Sequence, residues 1–165
     1  MKKIIFSLLL LTIMIACSST NKKTASNKLL IEKYVQAVEN KDTATMDSLM
    51  DANYWGFGPS VGDSVNKTDA IGNWKNNIEN LYENIKYSKS KNISVNVPEG
   101  INKGDWVSTW AELKITYKKD KKEVVVWANT IYQIENNKII KSFTFYNEAD
   151  VLEQLGFVFI NPNDL

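Results

Sequence analysis

The chain of 165 residues contains no histidine and no arginine, and all 20 of its basic residues are lysine. Without imidazole there is no Ser-His-Asp or Cys-His arrangement, no histidine-ligated metal, and no side chain that ordinarily titrates near neutral pH. Without guanidinium there is no planar fork for two-point contact with phosphate, carboxylate or guanine. Cysteine occurs once, at Cys17, so no internal disulfide can form. An excess of one charge is missing too: 20 lysines are interspersed with 19 acids, which leaves no nucleic-acid footprint. The expectation is a protein with no cofactor, no metal and no nucleic-acid partner.

What is present suffices for a packed core. Apolar residues make up 44% and aromatics 11% of the chain, with five tryptophans, and this length gives one domain room to bury them.

The N-terminus accounts for the lone cysteine. A positive start, Met1-Lys2-Lys3, precedes an apolar run from Ile4 to Ala16, shorter than the roughly 20 residues that span a bilayer. Met14-Ile15-Ala16-Cys17 resembles a bacterial lipoprotein box, with Met14 where leucine is usual. The resemblance implies that Cys17 receives lipid and becomes the first residue of the mature protein; an ordinary signal peptide or an uncleaved anchor is the alternative. Residues 1–17 are then a signal peptide, 18–27 a polar, flexible tether and 28–165 the folded domain. Neither Ser18 nor Ser19 is acidic, so the expected location is the cell envelope, anchored to the outer membrane and facing the periplasm.

Periodicity divides the domain. Leu30, Ile31, Tyr34, Val35 and Val38 recur at helical steps up to Asn40, with Asn27 as cap; Asp42 or Thr43 caps a short helix carrying Met46 and Leu49. Residues 51–59 read as an extended segment and 60–65 as a loop. A third helix, capped by Asn66 or Thr68, carries Ile71, Trp74, Ile78, Leu81, Tyr82 and Ile85. The period then becomes two: strands at 93–97 and 105–117, a lysine-rich turn at 118–122, and a hairpin from Glu123 to Tyr146 turning at Glu135-Asn136-Asn137-Lys138. Asn147, Glu148–Leu155 and Gly156 read as cap, short helix and stop. Helices first and long strands later indicate an α+β domain with helices on a curved antiparallel sheet.

That order, with YVQAVENKDTATMDSLMDANYWGFGPS, GDWVSTWAELKITY and IYQIENNKIIKSFTFYNEADVLEQLG at its landmarks, resembles the nuclear transport factor 2-like superfamily, in its SnoaL-like branch. The resemblance covers residues 28–157 and implies a cone-shaped fold, N-terminal helices closing over a strongly bent sheet around a pocket. Members include isomerases, cyclases and hydrolases of small hydrophobic substrates, and proteins that only bind. Where members often carry an aspartate that serves as acid or base, this chain has Asn147, which can do neither. The comparison also implies that Thr130, Tyr132, Phe143, Phe145 and Asn147 lie on the concave side. It likens Tyr34 to the first-helix tyrosine that hydrogen-bonds substrate oxygens in some isomerases.

Strand parity groups Val124, Val126, Ala128, Thr130, Tyr132 and Ile134 on one face and Val125, Trp127, Asn129, Ile131 and Gln133 on the other. Both faces are apolar enough to be covered, one by helices and the other by a second copy through the outer sheet face or by a return of the sheet. Trp55, Phe57, Trp74 and Trp110 can line an apolar pocket or fill a core. Among acids, Glu112 shares a strand face with Trp106 and Trp110, where desolvation would raise its pKa and make a base; a cross-strand lysine partner is the alternative. Asp51 sits before the aromatic segment and either borders the mouth of the cone or is an ordinary loop acid. Tyr34 also fits a core position, and Asn147 also fits a helix cap.

The leading expectation is a non-catalytic, lipid-anchored domain binding a small apolar or amphipathic ligand. Against it stand a SnoaL-like isomerase, cyclase or hydratase, using Asp51 or Glu112 with Tyr34 or Tyr132 as donor, and a dimeric protein-interaction module. Lipid attachment is tested directly: Cys17→Ser is expected to abolish incorporation of labelled fatty acid in the native host and to shift the protein from the detergent phase to the aqueous phase on Triton partition.

Overall fold

The computed structural model describes residues 22–161 and residue 163. The expected signal segment, Cys17 and the first residues of the expected tether lie outside the described residues. Helix α1 is described over 22–39. Leu30, Ile31, Tyr34, Ala37 and Val38 form its buried stripe, with Ile31 at 0% exposure. Residues 22–27, tether by composition, are helical as well. Asn27 is buried and Lys23 pairs with Asp105 on the sheet at 2.5 Å, contacts that local composition does not reveal.

Helix α2 (Thr43–Leu49) starts at Asp42, whose carboxylate accepts from the Thr45 N–H. Helix α3 (Lys67–Asn76) starts at Asn66, whose side chain accepts from the Asp69 N–H. Between them run β1 (Met50–Phe57) and a short edge strand, β2 (Ser64–Asn66), taken from what sequence reads as loop. Helical spacing predicts α3 to continue to Ile85; instead it ends at Asn76, and a π-helical turn at Asn77–Leu81 leads into β3 (Tyr82–Val97). Tyr82 pairs with Tyr117 and Ile85 with Ile115 across the sheet. Long-range pairing here overrides the local period.

Three long strands follow: β4 (Gly104–Tyr117), β5 (Glu123–Glu135) and β6 (Lys138–Tyr146). Helix α4 (Glu148–Leu155) is capped by Asn147, which accepts from the Asp150 N–H, and closed by left-handed Gly156. The sheet order is β2-β1-β6-β5-β4-β3. Strands β3 to β6 form an antiparallel meander, and β1 lies parallel to β6. The helices cover one face of this curved sheet, where Ile31, Tyr34, Val38 and Met46 pack with Val107, Tyr132 and Ile139 in one core. A smaller cluster holds α4 down through Val151 on Val124 and Val126.

The β5–β6 register governs the interior. Asn136 and Asn137, with φ of 48° and 60°, make the two-residue turn, the left-handed geometry that asparagine tolerates and tight hairpins require. Past the turn, Ile134 pairs with Ile139 but Gln133 pairs with Lys141, so Ile140 is a bulge. From there on Tyr132 faces Ser142 and Thr130 faces Thr144.

Because Ile31 is fully enclosed, Ile31→Ala is expected to lower unfolding stability by about 2–5 kcal/mol. Urea denaturation of the variant checks this as a lower midpoint with an unchanged slope.

Candidate functional site

The covered face of the sheet and the helices enclose a cavity of about 270 Å³, slightly below the roughly 300–1,000 Å³ of most small-molecule sites. Its walls come from every layer of the fold. Helix α1 contributes Tyr34, β1 Tyr54, α3 Trp74 and the π-helical turn Asn77; π turns of this kind recur at functional sites. Strand β3 contributes Tyr82 and Tyr87, β4 Tyr117, β5 Thr130 and Tyr132, and β6 Ser142, Thr144 and Tyr146. All seven tyrosines of the chain therefore line one cavity, and none of its lining residues is Asp, Glu or Lys.

The tyrosines are ordered by depth. Tyr34, Tyr54 and Tyr132 are buried, while Tyr82, Tyr117 and Tyr146 are half-buried and mark the more open end, the mouth of the cavity. Two pairs meet edge to face: Tyr34 with Tyr132 at 5.9 Å and 66°, and Tyr82 with Tyr117 at 5.5 Å and 84°. The Tyr54 hydroxyl is 2.7 Å from the Ser142 hydroxyl, and those of Thr130 and Thr144 are 3.2 Å apart. Among the described residues no buried side-chain polar atom lacks a partner.

Burial raises the pKa of all seven phenols, because the phenolate would have to form away from water. Tyr87 is pushed up to about 12. For Tyr34 and Tyr132 the rise is larger, driven first by burial. Neutral phenols that donate and accept hydrogen bonds are the functional groups of this cavity at physiological pH. They can hold and orient a ligand; no carboxylate is among the lining residues, although Glu39 beside Tyr87 and Glu148 beside Tyr146 raise those two phenols further.

Of the residues singled out from sequence, Tyr34, Trp74, Thr130 and Tyr132 line the cavity. Phe143 and Phe145 do not lie on the concave side. The bulge at Ile140 shifts the register by one residue, so Ser142, Thr144 and Tyr146 face inward and the phenylalanines outward. Phe57 stacks on Phe143 at 4.9 Å, and Trp55 pairs with Lys141, on that same outer face. Trp110 faces outward opposite Asn129. Asn147 caps α4 and is exposed.

The two acids also lie outside. Asp51 accepts from the Asn53 N–H at 2.9 Å and borders a surface depression beside Trp55 and Gln133. Glu112 is on the outer face, bound by Lys89 at 2.6 Å and by the Ser88 hydroxyl. Those hydrogen bonds, Lys89 first, lower its pKa rather than raising it, so of the two readings the cross-strand lysine pair is the one that forms and the desolvated base is not.

Sequence reasoning missed Tyr54, Tyr82, Tyr87, Tyr117 and Tyr146. Parity along β4 carried a signal for one of them, since Tyr117 shares the inward face of Ala111, Leu113 and Ile115. A larger open depression of about 450 Å³ lies at the other end of the strands, by Lys23, Asn96 and Gln133. It is a polar surface groove crossed by the Lys23–Asp105 pair, so the enclosed interior is the stronger site.

This arrangement of helices on a bent sheet is shared with solved structures. A proposed polyketide cyclase from Xanthomonas campestris pv. campestris superposes with a TM-score of 0.67 and 10% identity, over 81% of this chain and 98% of that one. The fold is nuclear transport factor 2-like, of the SnoaL-like type. A proposed isomerase from Bacillus subtilis gives 0.63 at 11% identity, over 83% and 97% of the two chains. A protein of ketosteroid isomerase-like fold from Catenulispora acidiphila, solved in complex with trimethylamine, gives 0.60 at 13% identity, over 78% and 93%. No family model and no curated protein matches the chain. Among the described residues there is no cluster of potential metal ligands and no helix long and apolar enough to cross a membrane.

The buried phenols have a consequence for alkaline stability. An unfolded tyrosine ionises near pH ~10, whereas the folded values are raised. Their stabilising contribution is complete below about pH 10 and is lost as pH rises through the folded values. Tyrosinate absorbance is expected to appear in one cooperative step together with loss of far-ultraviolet circular dichroism, above the range in which free tyrosine titrates.

Proposed function

We propose that the protein is a lipid-anchored domain of the bacterial cell envelope that binds a small amphipathic molecule in its tyrosine-lined cavity without transforming it. One observation carries this reading: seven neutral phenols and no carboxylate, ammonium or imidazole line the enclosed interior. Phenols offer apolar ring surface and hydroxyls together, which suits an amphipathic ligand. The isomerase, cyclase or hydratase reading calls for a positioned acid or base, and Asp51 and Glu112, its named carboxylates, are both outside the cavity. The trimethylamine complex of one protein of this fold is in keeping with a ligand of modest size. Cys17 would carry the lipid and hold the domain at the outer membrane, facing the periplasm.

The proposal extends to a homodimer through the outer sheet face. Ile93, Val95, Trp127, Phe145 and Trp55 are between 46% and 58% exposed on that face. Apolar groups gathered on one face favour burial against a partner, and a second copy would present the same surface around a twofold axis.

Native mass spectrometry of the full chain, purified from its host in dodecyl maltoside, tests both parts. The expected spectrum is a dimer whose mass exceeds the lipidated polypeptide by a retained small molecule. Trp127→Glu should convert it to a monomer that keeps the molecule. A protein that carries nothing at either mass would overturn ligand binding and favour the interaction module.

A further inference from the structure

The cavity separates two side chains of nearly equal apolar area. All seven tyrosines line it, and no described phenylalanine does. Phe57, Phe143 and Phe145 lie on the outer face, and Phe157 and Phe159 are exposed beyond α4. A site that only excluded water would be served as well by phenylalanine. What tyrosine adds is a hydroxyl and an electron-rich ring face.

Charge narrows the ligand further. An anion entering this cavity would find no lysine among the lining residues, and a primary ammonium would find no carboxylate; unpaired, either loses its hydration without replacement. A quaternary ammonium carries its charge on methyl groups and is stabilised by ring faces alone, the basis of aromatic cages. The edge-to-face pairs, Tyr34 with Tyr132 in the interior and Tyr82 with Tyr117 at the mouth, form corners rather than a flat wall. The innermost hydroxyl of Tyr54 already has a protein partner in Ser142, 2.7 Å away.

We propose that the cavity is an aromatic cage for a small quaternary ammonium compound, held by tyrosine rings with no counter-ion among the lining residues. This rests on the reading of the protein as a binding domain and names the chemical class of what it binds.

Choline and its uncharged isostere 3,3-dimethylbutan-1-ol separate the two ideas, because they share a shape and differ in charge. Isothermal titration of the full chain in dodecyl maltoside, a detergent without an ammonium group, should show choline binding tighter than the isostere by about tenfold or more. The choline methyl resonance should move upfield on binding, as ring currents require. Tyr82→Leu and Tyr117→Leu, at the half-buried mouth, should each weaken choline by about tenfold and leave the isostere within about twofold. Equal or tighter binding of the isostere overturns the ammonium class and leaves the binding domain standing. If neither probe binds while a neutral molecule is retained in the native mass spectrum, the ammonium class falls alone. If neither binds and nothing is retained, the cage and the binding domain fall together.

Discussion

A single unpaired residue, Ile140, decides what the interior is made of. Side chains alternate along a strand, so a shift of one residue exchanges the two faces. On the turn side of the bulge, Ile134 meets Ile139 and both are buried; beyond it, Tyr132 meets Ser142 and Thr130 meets Thr144. Continued without the bulge, the same hairpin would turn Phe143 and Phe145 inward and expose Ser142 and Thr144. The cavity would then be dry and filled by phenyl rings. With the bulge, β6 gives the interior two hydroxyls and Tyr146, and gives the outer face its phenylalanines.

The tyrosines complete that arrangement from other elements. Phenols are suited to a wall that has to be buried and yet polar, because the ring lies among apolar neighbours while the hydroxyl finds a partner. Trp74 and Asn77 close the same space from α3 and the π-helical turn. The turn ends α3 early enough for Tyr82 to join β3 opposite Tyr117. The hydroxyl network and raised phenol pKa values share one cause: a cavity shielded from water. Such a site favours recognition by contact and dipole over proton transfer.

The outer face follows the opposite logic. There Glu112 has its lysine, Trp127 lies 5.8 Å from the Lys89 ammonium, and Trp106 stacks near Phe143. Half-exposed aromatics among charged and amide groups are what an interface with a polar rim contains. The tyrosine-lined interior and the half-exposed aromatic surface thus occupy opposite sides of one sheet.

Much of the fold was legible because it depends on local rules. Helical spacing in α1, the caps Asp42, Asn66 and Asn147, the Asn136-Asn137 turn, Gly156 and the two-residue period of β4 and β5 are all local signals. Lack of histidine and arginine limits the chemistry on composition alone. The site was legible only in part, in Tyr34, Trp74, Thr130 and Tyr132. Helix α3 stops short of Ile85 because β4 pairs with the residues beyond it, and Glu112 loses its role as a base because Lys89 reaches it from the neighbouring strand. The sequence by itself determined which residues alternate along each strand and which chemistries its absences exclude. Only the tertiary structure decided which face turned inward, because a bulge is a property of two strands pairing and leaves no period in either one.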